Sequence, residues 1–584
     1  MLVYGDRTRI ASTREVLAGL RDDLARAAAL GPGLQRHSRL IAALIDAGQL
    51  VQGLADAFFH RNGSHDDKSA HVQATLSLVQ ALAGACALSW TSGFRRGGGL
   101  PADALARLAK LLPDAVVELR EPEGYAFYAL YPESYLEAAR ALRAKSPQVI
   151  GLRSIGTSLG AMVAAQLGAT DVLTLRPVGP PFERSIRANE GMIDLRADAH
   201  VIVDEGPGLS GSSMAAASRW LARAGVAPQR QHFFVSHGHG AGPHASESTR
   251  EMWHRVQVHV ADSDRTVLNA RAVPHRLQAW VEALVGPLLG PLQDISGGRW
   301  ADLQMHRAGS EPPVHPARER RKFLATSTRG RWLVKFIGLG REGERKFAMA
   351  NALARAGFTP RPEGLCHGYV VEAWRDDLRP LGACVPEPVR ARLVDRMGDY
   401  LGFRARRFPS CSTRGASPRQ LWEMGRVNTE AVLGPDFART WERWLPHLDR
   451  LARTLRPVET DNRMHPWEWL ANENTLLKTD AVDHHAGHEL VGAQDIAWDI
   501  AGAAVEFALS PAELQRLTTR CGRCPGPAAL RFMRHCYCAF EMGRSLEALG
   551  SGDDASRQRT AAERYRRALE AELTTAREGV AAWP

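Results

Sequence analysis

Two neighbouring acids, Asp204 and Glu205, end an apolar run (His200–Val203) and open a loop of small residues, Gly206-Pro207-Gly208-Leu209-Ser210-Gly211-Ser212-Ser213. The run is apolar and β-branched enough for a central parallel strand, and Met214–Ala224 repeats small and apolar residues at helical spacing. A Gly/Ser loop between strand and helix can turn its backbone N–H groups onto a phosphate at the helix N-terminus. Paired carboxylates beside it can accept hydrogen bonds from a vicinal diol or work near a metal ion. Together these parts describe a site for a ribose phosphate.

This stretch resembles the signature of the type I phosphoribosyltransferases, in which a hydrophobic strand leads to two acids and a Thr-Gly-x-Thr loop. Asp204 and Glu205 stand at the acids and Ser210-Gly211-Ser212-Ser213 at the loop, with one extra residue ahead of Ser210. The resemblance implies that Asp204 and Glu205 hold the ribose hydroxyls and act in catalysis. It implies that Gly208, Ser210, Gly211, Ser212 and Ser213 hold the 5-phosphate. Arg153-Ser154-Ile155-Gly156-Thr157-Ser158 takes the place of the pyrophosphate loop, with Arg153, Ser154, Gly156, Thr157 and Ser158 as its contacts. The long segment Arg176–Arg196, with Arg184, Arg187 and Glu190, takes the place of the family's closing lid, which would exclude water from an oxocarbenium-like centre. The donor implied is 5-phosphoribosyl diphosphate with Mg²⁺, attacked at the anomeric carbon by a nucleophile such as a nucleobase-like nitrogen.

A second set of chemistry-bearing residues lies downstream. Lys335 is on the second strand of a hairpin pattern (Lys322–Thr326, Arg331–Ile337), and Glu344 is on the following helical stretch, Gly343–Ala356. Asp461 precedes Glu468-Trp469-Leu470, Asp480 ends a strand-like run, and Gln494-Asp495-Ile496-Ala497-Trp498-Asp499-Ile500-Ala501 follows. The last segment and this order resemble the aminoglycoside-phosphotransferase-like kinases. The resemblance implies ATP contacts from Lys335 paired with Glu344, a catalytic-loop role for Asp461 on the acceptor hydroxyl, and Mg²⁺ on Asp480. The sequence departs from the family in three places. Glu459-Thr460-Asp461 replaces His-x-Asp. The metal-binding Asn position falls on Pro466, leaving Glu468, Asn472 or Asn474 as substitutes. The insert Asp483–His488 has no counterpart.

The elements that must position these groups divide the chain. Glu15–Ala29, Gln35–Ala55 and Ser69–Ala83 carry apolar residues at helical spacing, which predicts a helical N-terminal region over residues 1–120. From Tyr125 strand-like stretches (Tyr125–Leu130, Val149–Arg153, Asp171–Arg176, Gln231–Ser236, Val256–Ala261) alternate with helical ones. That order predicts a doubly wound parallel sheet over 121–295, with ligands at the carboxyl ends of its strands. Gly297–Arg320 lacks periodicity and reads as a linker (296–320) ahead of a kinase-like α+β domain, 321–584. The expected fold class is multidomain α/β.

Composition agrees with a folded, multidomain chain: 584 residues, 45% hydrophobic, 24% charged. No apolar run is read as membrane-spanning, no signal peptide is recognised, and the eight cysteines are scattered, so the expectation is a reduced, cytoplasmic protein without a membrane partner. A net charge of +10 suits anionic small molecules as well as nucleic acid, and no RNA-reading motif favours the latter. His237, His239 and His244 read as an acceptor-side loop rather than a metal site. Cys521/Cys524 and Cys536/Cys538 suggest zinc ligation, but the second pair lies in a stretch, Ala529–Leu549, with core-helix spacing, and one-residue spacing on a helix chelates poorly. The expected function is a bifunctional enzyme, a phosphoribosyltransferase fused to a small-molecule kinase. The alternative is a non-catalytic sensor of ribose phosphates or nucleotides with a degenerate kinase fold.

Overall fold

The computed structural model describes residues 1–304, 312–382, 384–411, 414–550 and 555–577. The chain opens with β1 (Thr8–Ser12), then α1 (Thr13–Ala29), α2 (Leu34–Arg61), α3 (Ala70–Thr91) and α4 (Ala102–Leu111). Ser12 starts α1 by accepting the Glu15 N–H on its hydroxyl. β2 (Val116–Arg120) returns to pair antiparallel with β1. By length and composition alone α2 and α3 are each long and apolar enough to cross a membrane, as core helices also are; 89% and 56% of their apolar windows are buried inside the protein.

The expected strand at Tyr125–Leu130 is instead a short helix, α5 (Glu123–Phe127). A short apolar run does not distinguish strand from buried helix, and here Pro122 supplies the carbonyl that the Ala126 N–H reaches at 3.2 Å. α6 (Pro132–Ala139) leads into the predicted alternation: β3 (Pro147–Leu152), α7 (Gly156–Leu167), β4 (Asp171–Leu175), a small hairpin of β5 (Pro177–Val178) and β6 (Ser185–Ile186), β7 (Ala199–Val203), α8 (Ser212–Arg223), β8 (Gln231–Val235), α9 (Glu247–Arg255) and β9 (Gln257–Val260). Five strands form one parallel sheet in the order β4-β3-β7-β8-β9. The central strands β3, β7 and β8 are buried along their whole length.

After α10 (Leu277–Val285), β10 (Gln293–Asp294) already belongs to a second, antiparallel sheet of order β10-β11-β12-β14-β13. Its later members, after α11 (Trp300–Leu303), are β11 (Lys322–Ser327), β12 (Gly330–Phe336), β13 (Pro362–Cys366) and β14 (Tyr369–Ala373), with α12 (Gly340–Arg355) between β12 and β13. The expected linker therefore begins beyond the first strand of the second sheet, and its residues 305–311 lie outside the described ones. The remainder is mostly helical, with long helices at Val389–Arg407, Pro418–Leu433, Ala497–Glu506 and Pro527–Glu547. One buried cluster runs from α1–α3 through β3 and β7 to Phe323, Val334, Phe336 and Tyr369. The helical region, the parallel sheet and the second sheet thus share a core.

Candidate functional site

Two sites form, one at the carboxyl edge of the parallel sheet and one in a cleft below the second sheet. At the first, the turn after β3 lies hard against the end of β7. A Cβ on Gly151 would meet Gly156 O at 2.3 Å, and one on Gly156 would meet Val203 O at 2.4 Å, so only glycine fits either position. This brings residues 153–158 beside Asp204 and Glu205. Tyr135 Oη donates to the carbonyls of Asp204 (2.8 Å) and Glu205 (3.0 Å), fixing the strand's exit. Burial pushes the Asp204 carboxyl up to about 7, and burial with Glu123 and Asp204 nearby pushes Glu205 up to about 8. Both carboxyls are thus biased toward the protonated form, a bias that a bound cation reverses.

The small-residue loop follows as expected, with Gly208 and Gly211 in left-handed conformations (φ +57 and +67) ahead of α8. Its hydroxyls are engaged: Ser212 Oγ donates to Pro181 O at 2.9 Å, and Ser210 Oγ lies 3.2 Å from the same oxygen. Pro181 lies in the turn between β5 and β6, within the segment Arg176–Arg196, so that segment rests on the loop. Ser213 is half-buried at the first turn of α8. The His237 loop packs here too, with the His244 N–H reaching Leu209 O at 2.8 Å.

The pyrophosphate-loop side chains are a correction. Arg153 does not face the edge. Its guanidinium is buried between Asp56 (2.9 Å) and Asp66 (2.6 Å) of the helical region and donates to Thr174 O (3.1 Å). Thr157 Oγ1 is paired with Thr174 Oγ1 (2.9 Å), and Ser158 Oγ with Tyr125 Oη (2.8 Å). A fixed cation so deep in the fold needs its counter-charges there, and the helical region supplies them. At this turn Ser154 is half-buried and Gly156 is buried.

In the second site Lys335, on β12, is buried and ion-paired with both Asp480 and Asp483. Burial alone would raise Asp480, but Lys335 and Lys322 hold it well below the usual carboxylate range. Asp480 Oδ2 lies 3.8 Å from His484 Nε2, which lies 3.8 Å from Glu468 Oε1. Donor atoms of these three residues are all within 4.8 Å of one another. A cavity of about 250 Å³ opens beside them, lined by apolar Leu333, Val370 and Leu470 and by Lys335, Glu372 and Asp480. Burial pushes Glu372 up to about 7 despite Lys335. The two carboxylates next to an open cavity fit a hard divalent cation shared with a ligand's oxygens, with the His484 imidazole beside them.

Two expectations fail here. Glu344 does not pair with Lys335; it turns to α2 and pairs with Arg39. It sits one position off the helix face that buries Gly343, Lys346, Ala350 and Leu353, and that offset aims it at α2. Asp461 does not line the cavity. Its side chain is fully buried, accepting from Tyr400 Oη and lying 3.3 Å from Lys478 Nζ. The cavity-lining residues of that turn include Arg463, paired with Glu489, and His465. Of the three substitutes weighed for the missing Asn, Glu468 is at the site, whereas Asn472 Oδ1 is occupied by the N–H groups of Asn474 and Thr475.

Sequence reasoning assigned no role to Asp483, His484, Lys346 or Asp499. Lys346 Nζ is 3.2 Å from Asp483 Oδ1, so the unexplained insert is part of the cleft. The signal for Asp483 and His484 was that insert's density of titratable residues. For Asp499 it was its place in the quoted Trp-Asp segment. The cysteines are all free, and Cys536 and Cys538 are buried in one helix, as read.

No family model matches the chain, and no curated protein matches it. Among solved structures, a choline kinase from Streptococcus pneumoniae is similar over 44% of this chain and 89% of its own, at 14% identity and a TM-score of 0.33. A choline/ethanolamine kinase family protein from Mesorhizobium loti is similar over 52% and 98%, at 13% identity and TM-score 0.32. A spectinomycin phosphotransferase in complex with ADP and spectinomycin is similar over 52% and 98%, at 12% identity and TM-score 0.33. Likeness at this level carries no functional argument; the residues of the cleft and of the sheet edge carry it.

Proposed function

We propose that the cleft binds a magnesium–nucleotide complex, with ATP as the donor, and transfers a phosphoryl group to a small hydroxyl compound. The observation that carries this is Lys335, held between Asp480 and Asp483 at the mouth of a cavity whose apolar walls suit a nucleobase. Lys335 exchanges a carboxylate partner for nucleotide phosphate, and Glu468, Asp480 and His484 are the residues that would hold the ion. Mg²⁺, when bound, neutralises charge on the phosphate oxygens. Transfer through a loose transition state depends on positioning more than on a strong base, so the burial of Asp461 does not remove the chemistry.

A specific observation supports a second head. Asp204 and Glu205 end the central strand of a parallel sheet, beside a glycine-bound turn and a small-residue loop at a helix N-terminus. The reading is a ribose-phosphate site taking 5-phosphoribosyl diphosphate, at which a nitrogen nucleophile displaces pyrophosphate. The two heads are tested by isothermal titration of Mg–ATP and of Mg–phosphoribosyl diphosphate. Wild type is compared with Asp480→Asn for the first and with Asp204→Ala/Glu205→Ala for the second. Each ligand should bind wild type and be lost only with its own variant. Binding without turnover across an acceptor panel would convert either head into a sensor. No binding to folded wild type would remove it.

A further inference from the structure

Away from both sites, three side chains meet where the three parts of the chain join. His37 comes from α2, Glu133 from α6, and His367 from the turn between β13 and β14. All are at most 1% exposed. Glu133 Oε1 lies 2.7 Å from His37 Nε2 and 2.9 Å from His367 Nε2. Nothing in the chemistry of either head uses them.

Ser38 Oγ lies 3.0 Å from Leu34 O and 3.0 Å from His367 Nδ1, so its one proton serves one of them. Both rings meet the same carboxylate oxygen, Glu133 Oε1, while Glu133 Oε2 is buried with no hydrogen-bond partner. His37 Nδ1 also lacks a partner. Donor atoms of the three residues all lie within 4.8 Å of one another. A cation among them answers the unpaired carboxylate oxygen.

We propose that His37, Glu133 and His367 form a structural site for a divalent metal ion of the zinc class. Two imidazole nitrogens and a carboxylate are a donor set for such an ion, with the unpartnered Glu133 Oε2 free to turn onto it. Tetrahedral ligands at zinc–nitrogen distances of about 2.0–2.1 Å lie about 3.3 Å apart, so the contacts open by about half an ångström on loading. Enclosure of all three side chains means that the ion enters as the chain folds. Bound there, it pins the helical region, the parallel-sheet unit and the second sheet to one another. It is distinct from the Glu468–Asp480–His484 group, which opens onto the cleft.

The test uses the full chain, stripped by chelator during unfolding and refolded with Zn²⁺ or Co²⁺ alone. Metal content per chain and the visible Co²⁺ absorption are read. Expected is one tightly held ion that survives Asp480→Asn, is lost in His367→Gln and in Glu133→Gln, and raises the melting temperature of wild type only. Ser38→Ala, which leaves the three donors in place, should weaken binding by about tenfold and keeps the test open if the ligand variants do not fold. An ion unaffected by His367→Gln, or no ion in excess of the one Asp480→Asn removes, overturns the proposal. Failure of either head to bind its ligand leaves these readouts untouched.

Discussion

Asp499 holds Asp461 by its backbone: Asp499 Oδ2 accepts the Asp461 N–H at 2.8 Å, and Oδ1 accepts the next N–H, of Asn462, at 2.9 Å. A carboxylate on the helix Ala497–Glu506 thereby sets the turn that carries Arg463 and His465 to the cleft. Burial, with Asp461 nearby, pushes Asp499 up to about 7. Removing the carboxylate leaves two buried N–H groups unpaired. Asp499→Ala should cost about 3 kcal/mol in denaturant unfolding. A loss below about 1 kcal/mol would mean that the turn is held by other contacts.

Asp461 itself is a support, not a cleft residue. Asp461→Asn should lower stability by about 1–3 kcal/mol, since it removes one of the acids around the buried Lys478. Affinity for Mg–ATP, measured by titration, should stay within about twofold of wild type. A collapse of affinity in a folded variant would put Asp461 back in the site.

Lys335 and Glu344 should separate cleanly. Lys335→Ala is expected to abolish Mg–ATP binding. Glu344→Gln should leave it unchanged and cost less than about 1 kcal/mol, because the pair it breaks with Arg39 is partly exposed. Equal loss of affinity in both would restore the lysine–glutamate pair that the sequence suggested.

Asp204 and Glu205 should make the first site pH-dependent. Both folded-state values are raised, to about 7 and about 8, so the folded protein binds protons that the unfolded chain releases near pH 4. Their contribution to stability is complete below about pH 4 and is lost as pH rises through 7 to 8. Asp204→Asn with Glu205→Gln should flatten that slope in thermal melts. Binding of Mg–phosphoribosyl diphosphate should release protons, seen as a buffer-dependent titration heat, and should tighten between pH 6.5 and 8.5, roughly the span of the two raised groups. A heat independent of buffer would place the ligand elsewhere.

Arg153→Ala should strand Asp66 in the interior and cost about 3–5 kcal/mol, with Asp56 still held by Arg176. Combining it with Asp66→Asn should recover part of that loss. No recovery would mean that the guanidinium acts mainly by packing.

The alternation of β-branched runs with small-residue helices announced the parallel sheet, and Asp204 and Glu205 follow directly on its central strand. Both depend on period and on neighbours in sequence. Lys335 and Asp480 were legible for the same reason: each sits at the end of, or within, a short strand whose pattern is local. The helix at Glu123–Phe127 was not legible, because five residues carry too little period to tell helix from strand.

Sequence alone thus determined where the parallel strands and the small-residue loops fall, since strand identity and loop composition are local properties. Tertiary structure alone decided their partners. Arg153 was claimed by Asp56 and Asp66, Glu344 by Arg39, and Asp461 by Tyr400 and Lys478. Each of those partners comes from a distant segment. A buried charge is answered by whichever opposite charge the packing brings within reach, and neither spacing nor composition records that.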